Sequence, residues 1–169
     1  MKIAILNGSP RVGNTAAMAE AFRQGAEAAG HEVEVLHVGK MKISGCLACE
    51  YCHGKGEGTC IQKDDMGKVM PAYLEADMIV FASPIYYSAP TSQLQAAIQR
   101  LYCIGKPAKA TKSALLLSSA SGGYDVAIAQ YKALAGMFGM QDMGVCTATG
   151  EENKSAEKLA EIKAFAGTL

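Results

Sequence analysis

Closely spaced cysteines are the residues of this sequence best suited to chemistry. Three thiolates near one another and a fourth on a returning loop can ligate the irons of a cubane cluster. The same spacing suits a tetrahedral zinc site, in which His53 could replace one thiolate. The residues alone therefore leave a [4Fe–4S] cluster and zinc open. The pattern is C-x2-C-x2-C-x7-C, formed by Cys46, Cys49, Cys52 and Cys60.

The chain has six cysteines in all. In a reducing compartment, cysteines indicate metal binding, redox chemistry or packing before disulfides. Cys103 and Cys146 lie at a helix end and in a strand pattern, where we expect them to pack as small hydrophobic residues. The apolar run at 3–6 is too short for an export signal and is broken by a turn sequence. We therefore expect a cytoplasmic protein.

A glycine-containing loop, NGSPRVGNT at 7–15, leads into a predicted helix. Glycines permit the tight turn, and the free N–H groups and dipole of a helix N-terminus favour an anion. The spacing imitates a P-loop, but Asn14 stands where that motif has its lysine, which disfavours a nucleoside triphosphate. The alternative is a well-capped turn without a ligand. We expect a single terminal phosphate group, held by Ser9, Arg11, Gly13, Asn14 and Thr15.

Two further loops have compositions suited to a ligand. The segment SPIYYSAP at 83–90 has prolines that pre-organise the backbone and tyrosines that can stack on a flat ring. These tyrosines could equally cover the core or form a dimer contact. The segment SSASGGYD at 118–125 has small residues that let backbone donors approach a ligand closely.

Hydrophobic periodicity predicts the elements that carry these loops. Alternating strands and helices indicate right-handed βαβ units and a parallel sheet covered on both faces, with ligands outside the carboxyl ends of the strands. Asp65 is the predicted cap of the second helix. The predicted strands are 2–6, 32–38, 77–82, 113–118 and 143–148. The predicted helices are 14–29, a helix from 65 onward, 91–102, 124–138 and 154–166.

Charge and length exclude several classes of protein. Sixteen basic and sixteen acidic residues give a formal net charge of zero, so no basic field attracts nucleic acid or anionic lipid. No apolar run approaches the roughly 18 residues of a membrane-spanning helix. Charged residues make up only 19% of the chain, which suggests self-association.

The motifs GSPRVGNT after the first strand and SPIYY after the third resemble the flavodoxin-like NAD(P)H-dependent FMN reductase family. The cysteine pattern resembles the iron–sulfur flavoprotein branch of that family. The resemblance implies one α/β domain over residues 1–169, with a three-layer, doubly wound, five-stranded parallel sheet in the order 2-1-3-4-5. The cysteines would lie in an insert at about 40–64. FMN as cofactor, NAD(P)H as co-substrate and a homodimer or homotetramer are also implied.

The resemblance also implies roles for the loops. The loop at 83–90 would line the flavin ring through Pro84, Ile85, Tyr86 and Tyr87, and the pyrimidine edge would meet Ser121, Gly122 and Gly123. No side chain is expected to act as acid or base, because hydride transfer to flavin does not demand one. The gap before Cys60 is longer than is usual in the iron–sulfur branch, and relatives in the wider family keep such cysteines without metal.

The resulting functional hypothesis is hydride transfer from NAD(P)H to flavin N5, and then to a quinone, a flavin or another small-molecule or redox-protein acceptor. The first alternative is an electron-transfer protein with FMN and a [4Fe–4S] cluster that takes electrons from ferredoxin. The neutral net charge disfavours a free flavodoxin-like carrier, since such carriers are acidic. The second alternative is a non-catalytic, zinc-stabilised nucleotide-binding scaffold.

Overall fold

Short apolar strands alternate with helices along the chain in the computed structural model, which describes residues 1–169. The strands are β1 Lys2–Asn7, β2 Glu32–Leu36, β3 Met78–Tyr86, β4 Ala89–Pro90, β5 Lys112–Ser119 and β6 Gln141–Thr149. The helices are α1 Asn14–Ala28, α2 Met66–Glu75, α3 Ser92–Gln99, α4 Asp125–Phe138 and α5 Ala156–Ala166. Short 3₁₀ turns lie at Val38–Lys40, Tyr51–His53, Arg100–Ile104 and Gly150–Lys154.

The main sheet is parallel throughout, in the order β2-β1-β3-β5-β6. The predicted order 2-1-3-4-5 is thereby confirmed, because β4 lies off this path and only pairs antiparallel with the end of β3. The winding reverses between β1 and β3. The loops after β1, β3, β5 and β6 all leave the sheet at its carboxyl edge, where this topology forms its ligand crevice.

Both faces of the sheet are covered, which explains why its strands are apolar on both sides. Successive side chains of β1 alternate between the faces: Ile3 packs on one side and Ala4 on the other. One face is covered by α1 and α5, through Phe22 and Ile162. The other face is covered by α2, α3 and α4. None of the helices is long and apolar enough to cross a membrane.

The predicted elements are present, with different ends. The helix predicted over 91–102 ends as an α-helix at Gln99 and continues as the Arg100–Ile104 turn. Asp65 is the N-cap residue of α2, as predicted, but its side chain does not cap the helix, because Oδ2 accepts the backbone N–H of Lys42 at 2.8 Å. Its neighbour Asp64 instead accepts the N–H of Met66 at 3.1 Å through Oδ1.

The buried Thr91 joins the elements that shape the carboxyl edge. Its hydroxyl donates to the carbonyl oxygen of Gly8 at 2.8 Å and accepts the N–H of Leu94 at 3.3 Å. Its backbone N–H donates to Ser83 Oγ at 2.9 Å. One residue thus holds the first turn of α3, the loop after β1 and the end of β3 in a common position.

The Val38–Lys40 turn supports the loop after β1 from behind. A Cβ added at Gly39 would collide with the carbonyl group of Ser9 and would lie 2.5 Å from the carbonyl oxygen of Gly8. These are backbone atoms, which cannot swing away as the end of a flexible side chain can. Glycine at this position therefore allows the two loops to touch.

We expect Gly39→Ala to lower the free energy of unfolding by about 1–3 kcal/mol, because the added methyl group overpacks against Ser9. Gly67→Ala is the matched control: an added Cβ there meets nothing within 4 Å. In α2 the control should be stabilising by up to about 1 kcal/mol, because alanine favours helix. Urea unfolding of both variants measures this, and equal stabilities would contradict the contact at Gly39.

Candidate functional site

A pocket opens at the carboxyl edge of the sheet, between the loops after β1, β3, β5 and β6. We call it the edge pocket. Its cavity volume is ≈ 640 Å³, within the range of about 300–1,000 Å³ that is usual for ligand sites. Its lining is mostly polar, and consists of Ser9, Arg11, Val12, Gly13, Asn14, Thr15, Pro84, Ile85, Tyr86, Ser118, Ser119, Ala120, Gly150, Glu151, Asn153 and Lys154.

The N-terminus of α1 forms one end of the edge pocket. Gly13 is its N-cap, no side chain caps it, and its first turn has no acidic residue. The first N–H groups of a helix have no partner within the helix, and the helix dipole makes this end positive. Asn14 and the exposed Arg11 lie on the pocket at the same end. The arrangement is suited to an anion.

Other polar side chains at this end shape the site. Asn7 Oδ1 accepts the N–H of Ser9 at 2.9 Å, and Ser9 Oγ donates to the carbonyl oxygen of Arg11 at 3.0 Å. The Ser9 hydroxyl thus folds the loop. Thr15 Oγ1 lies 2.7 Å from Ser118 Oγ, and this buried pair joins α1 to the end of β5.

The end of β3 forms a wall of the pocket with Pro84, Ile85 and the half-exposed Tyr86. The chain then turns back into β4 through Tyr87 and Ser88, which have positive φ angles of 49° and 64°. Two successive residues in the left-handed conformation match the twist of a hairpin, but the backbone of a residue other than glycine is strained in that conformation. Tyr87 is fully exposed and lies outside the pocket lining.

The end of β5 and the first residue after it lie on the pocket, and the glycines of the following loop do not. The residues on the pocket are Ser118, Ser119 and Ala120. Ser121, Gly122 and Gly123 form a turn beyond the lining, closed by Ser119 Oγ, which accepts the N–H of Gly122 at 2.6 Å. The predicted contacts of these three residues therefore stay predictions.

The Gly150–Lys154 turn after β6 is a wall that the sequence analysis missed. Asn153 is 2% exposed, and its Nδ2 donates to the carbonyl oxygens of Ser119 and Gly150, both at 2.8 Å. Its Oδ1 is buried without a partner, although the residue lines the pocket. A buried acceptor without a partner is costly, so a ligand donor at this point would be stabilising. The polar run GEENK after the fifth predicted strand was the available signal.

The cysteines that were predicted as metal ligands lie together in a second, smaller site that we call the cysteine recess. It is lined by the sulfur-bearing side chains of Cys46, Cys49, Cys52, Cys60 and Cys103. None of them is in a disulfide. No three Cys, His, Asp or Glu groups are close enough together to hold one metal ion. The cavity volume is ≈ 20 Å³, where about 10–15 Å³ is needed for one water.

Cys103 borders this recess, which its predicted packing role did not anticipate. It is buried, as predicted, and its Sγ donates to the carbonyl oxygen of Arg100 at 3.1 Å. Burial, followed by the charges of Cys60 and Cys52, raises the pKa of the Cys103 thiol. Cys103 is therefore held as a neutral thiol beside the other four.

A buried ion pair closes the base of the cysteine segment. Arg100 is 2% exposed, and its Nη1 donates to Asp64 Oδ2 at 2.6 Å and to the carbonyl oxygen of Ser44 at 3.0 Å. Gln62 Nε2 donates to the carbonyl oxygen of Gly45 at 3.0 Å. The two ends of the segment are thereby held together.

The Arg100–Ile104 turn also contacts the middle of the segment. Tyr102 Oη donates to Glu50 Oε1 at 2.9 Å, and its ring packs edge-on against His53 with centroids 4.6 Å apart. Sequence reasoning missed Arg100 and Tyr102 because they lie some 40 residues or more beyond the cysteines in the chain.

Comparison with known proteins points to one family. A family model described as NADPH-dependent FMN reductase matches residues 1–154. An iron–sulfur flavoprotein of Archaeoglobus fulgidus is 39% identical over 106 residues, which are 62% of this chain and 47% of that protein. An iron–sulfur flavoprotein of Methanocaldococcus jannaschii is 34% identical over 124 residues, 73% of this chain and 62% of that protein. The chain spans about half the length of the curated relatives it matches.

Solved structures share the fold at low identity. An azoreductase from Bacillus anthracis has a TM-score of 0.77 at 18% identity, with both chains fully covered. An FMN-dependent NADH-azoreductase from the same species, in complex with FMN, has a TM-score of 0.73 at 13% identity, with 99% of each chain covered. An NAD(P)H:quinone oxidoreductase from Methanothermobacter marburgensis has a TM-score of 0.68 at 19% identity, covering 99% of this chain and 93% of that one.

The Asp64–Arg100 pair predicts a pH-dependent stability. Burial opposes ionisation of Asp64, but hydrogen bonds from Arg100 and from the N–H groups of Ser44 and Met66 outweigh it and hold its pKa below 3.8. The stabilisation is therefore fully present above pH 3.8 and is lost as the pH falls through the lower, folded-state pKa.

We expect Asp64→Asn to lower the free energy of unfolding by roughly 1.5–3 kcal/mol near neutral pH, because Arg100 loses its charged partner. The difference in the free energy of unfolding between this variant and the unmodified protein should disappear in acid. Glu34→Gln removes an exposed carboxylate of β2 and should change stability by less than about 0.5 kcal/mol. Urea titrations across pH measure the difference; a constant difference down to about pH 2 would show that the ion pair is not its cause.

Proposed function

Because the chain belongs to the NADPH-dependent FMN reductase family, we propose that it is an FMN-dependent oxidoreductase with its cofactor in the edge pocket. The observation that carries this proposal is the uncapped N-terminus of α1, which opens into a cavity of ≈ 640 Å³. An anion site beside a cavity of that size fits a phosphorylated ring compound.

The phosphate of FMN would be held at the N-terminus of α1. The N–H groups of Asn14 and Thr15 are among the free donors of the first turn. The Arg11 guanidinium supplies positive charge, and the Asn14 amide supplies a neutral donor where a P-loop has lysine. Ser9 holds the loop in shape through its bond to Arg11.

The rest of the cofactor would lie between the β3 and β5 loops. Pro84, Ile85 and Tyr86 provide a flat, partly apolar wall suited to stacking on a ring. The unpartnered Asn153 Oδ1 would accept a hydrogen bond from a cofactor donor.

The predicted contacts beyond the lining are part of the same proposal. The turn at 121–123 and the tip of the β3–β4 hairpin are neighbours, since a Cβ on Gly123 would lie 4.0 Å from Ser88 Oγ. Ser121, Gly122, Gly123 and Tyr87 could therefore meet a ligand that extends past the pocket rim.

A bound FMN would supply the redox chemistry proposed here, which is acceptance of hydride from NAD(P)H at N5 and reduction of a quinone, a flavin or another acceptor. The chain's own residues bind the phosphate, orient the ring and limit access of water. None of them is assigned as acid or base, and Glu151 is the one carboxylate on the edge pocket. Similar structures named azoreductase and NAD(P)H:quinone oxidoreductase support an organic acceptor.

The cysteine recess supports a second candidate, in which the chain also carries a [4Fe–4S] cluster and exchanges electrons with a ferredoxin-type partner. The donor set fits: the four predicted ligands line one recess, are free of disulfides and offer the four thiolates that a cubane cluster binds. Each thiolate of a cubane binds a different iron, so the four sulfurs need not converge on one point as they do in a zinc site. The recess has a cavity volume of only ≈ 20 Å³, so the exposed Cys46 and Cys49 would have to turn outward around a cluster.

Assembly into a homodimer or homotetramer is part of the same proposal. The exposed apolar side chains include Val12 on the edge pocket, Tyr87 at the hairpin tip and Val126 and Met137 on α4. A surface with these groups and few charges favours contact between copies.

Anaerobic purification tests both candidates together. We expect a flavin spectrum that NADPH or NADH bleaches. For the second candidate we also expect iron and sulfide near four per chain, the content of a cubane cluster. A protein with flavin but without iron would support the oxidoreductase and refute the candidate with a cluster. A colourless protein with no affinity for FMN would refute both and favour a non-catalytic scaffold.

The phosphate assignment predicts a selective loss of affinity. Arg11→Ala should weaken FMN binding about tenfold or more, because a charge-assisted hydrogen bond to the phosphate is lost. Riboflavin has no phosphate, so its affinity should not change. Arg23→Ala, on the outer face of α1 where Arg23 pairs with Glu20 and Glu27, is the matched control. Quenching of flavin fluorescence measures each affinity; equal losses for FMN and riboflavin would mean that Arg11 does not contact the phosphate.

A further inference from the structure

Arg100 is the one cation that lines the cysteine recess, and its side chain is almost completely buried. The residue is 2% exposed and lines the recess beside Cys60 and Cys103. Arginine at a buried site is retained where its fixed donors have partners, because an uncompensated buried charge is strongly destabilising.

Its known partners use only part of the guanidinium. Nη1 donates to Asp64 and to the carbonyl oxygen of Ser44. Nε is buried and has no hydrogen-bond partner. An orphaned N–H inside a protein carries an energetic penalty unless some group accepts it. The unpaired donor belongs to a side chain that lines the recess of thiols.

Cys60 is the candidate acceptor. It lines the recess together with Arg100, and it lies four residues before Asp64, which Arg100 binds. A thiolate accepts an N–H bond better than a thiol does, so a bond from Nε would be strongest when Cys60 is a ligand.

We propose that Arg100 is a positioning residue that sets the reduction potential of a cluster held by Cys46, Cys49, Cys52 and Cys60, through an N–H bond from Nε to Cys60 Sγ. The inference rests on the second candidate function. Hydrogen bonds to sulfur and nearby charge are the protein's means of tuning such a cluster. Reduction adds negative charge, so a donor and a cation at Cys60 favour the reduced form and raise the potential.

The test is a redox titration of the reconstituted protein with FMN bound, followed by electron paramagnetic resonance. Arg100→Gln removes both the charge and Nε, and should lower the reduction equilibrium constant about tenfold or more, about 59 mV for a one-electron couple. Arg100→Lys keeps the charge and should show a smaller decrease. Arg23→Gln is the control and should leave the potential unchanged. An unchanged potential in Arg100→Gln, with the cluster intact, would overturn the inference.

A second measurement needs no variant that could fail to fold. The chain has three arginines, Arg11, Arg23 and Arg100. In protein labelled with ¹⁵N-arginine, electron–nuclear double resonance of the reduced cluster should show a ¹⁵N coupling, because one guanidinium lies against a ligand sulfur. Its absence would contradict the proposed bond. Unmodified protein that binds FMN but no iron would refute the second candidate itself, which separates that failure from failure of the inference.

Discussion

The hydrogen bond from the Thr91 hydroxyl to the carbonyl oxygen of Gly8 is the contact on which the shape of the edge pocket depends. Both groups are buried, so losing Thr91 would leave the Gly8 carbonyl without a partner, at a cost of about 1–3 kcal/mol. The same side chain caps α3, and its backbone N–H binds Ser83 at the end of β3. The N-terminus of α1 and the wall at 84–86 therefore keep a common geometry.

The helix that begins after Thr91 also reaches the second site. α3 is eight residues long, about 12 Å at 1.5 Å per residue. Thr91, before its first residue, orders the edge pocket, and Arg100, after its last, orders the cysteine recess. One short helix therefore links the edge pocket to a group of thiols. Two redox groups placed in these sites would lie on one rigid support.

Much of the fold could be predicted because the signals are local. Each strand is a short apolar run and each helix has its own periodicity, so the alternation of strands and helices was predictable from the residues, whereas the sheet order came from the resemblance to the reductase family. The residues around the α1 N-terminus were predictable for the same reason. The two aspartates show where local information ends. Asp64 and Asp65 have identical local chemistry, and only the approach of Arg100, on another element, makes Asp64 the partner of a buried arginine.

The missed parts of both sites come from elsewhere in the chain. Asn153 is an ordinary polar residue in a turn, and it becomes part of the pocket only because β6 ends at the same edge as β5. Arg100 and Tyr102 reach the cysteines only after α3 packs on the sheet. Cys103 was rightly predicted to be buried, but periodicity cannot say that other thiols lie beside it.

The proposed binding of FMN in the edge pocket, with its phosphate at the N-terminus of α1, can be observed in a crystal structure of the protein with FMN. We expect phosphate oxygens within hydrogen-bond distance of the N–H groups of Asn14 and Thr15, with the ring against Pro84–Tyr86. A phosphate bound away from α1, or a ring outside the edge pocket, would contradict it.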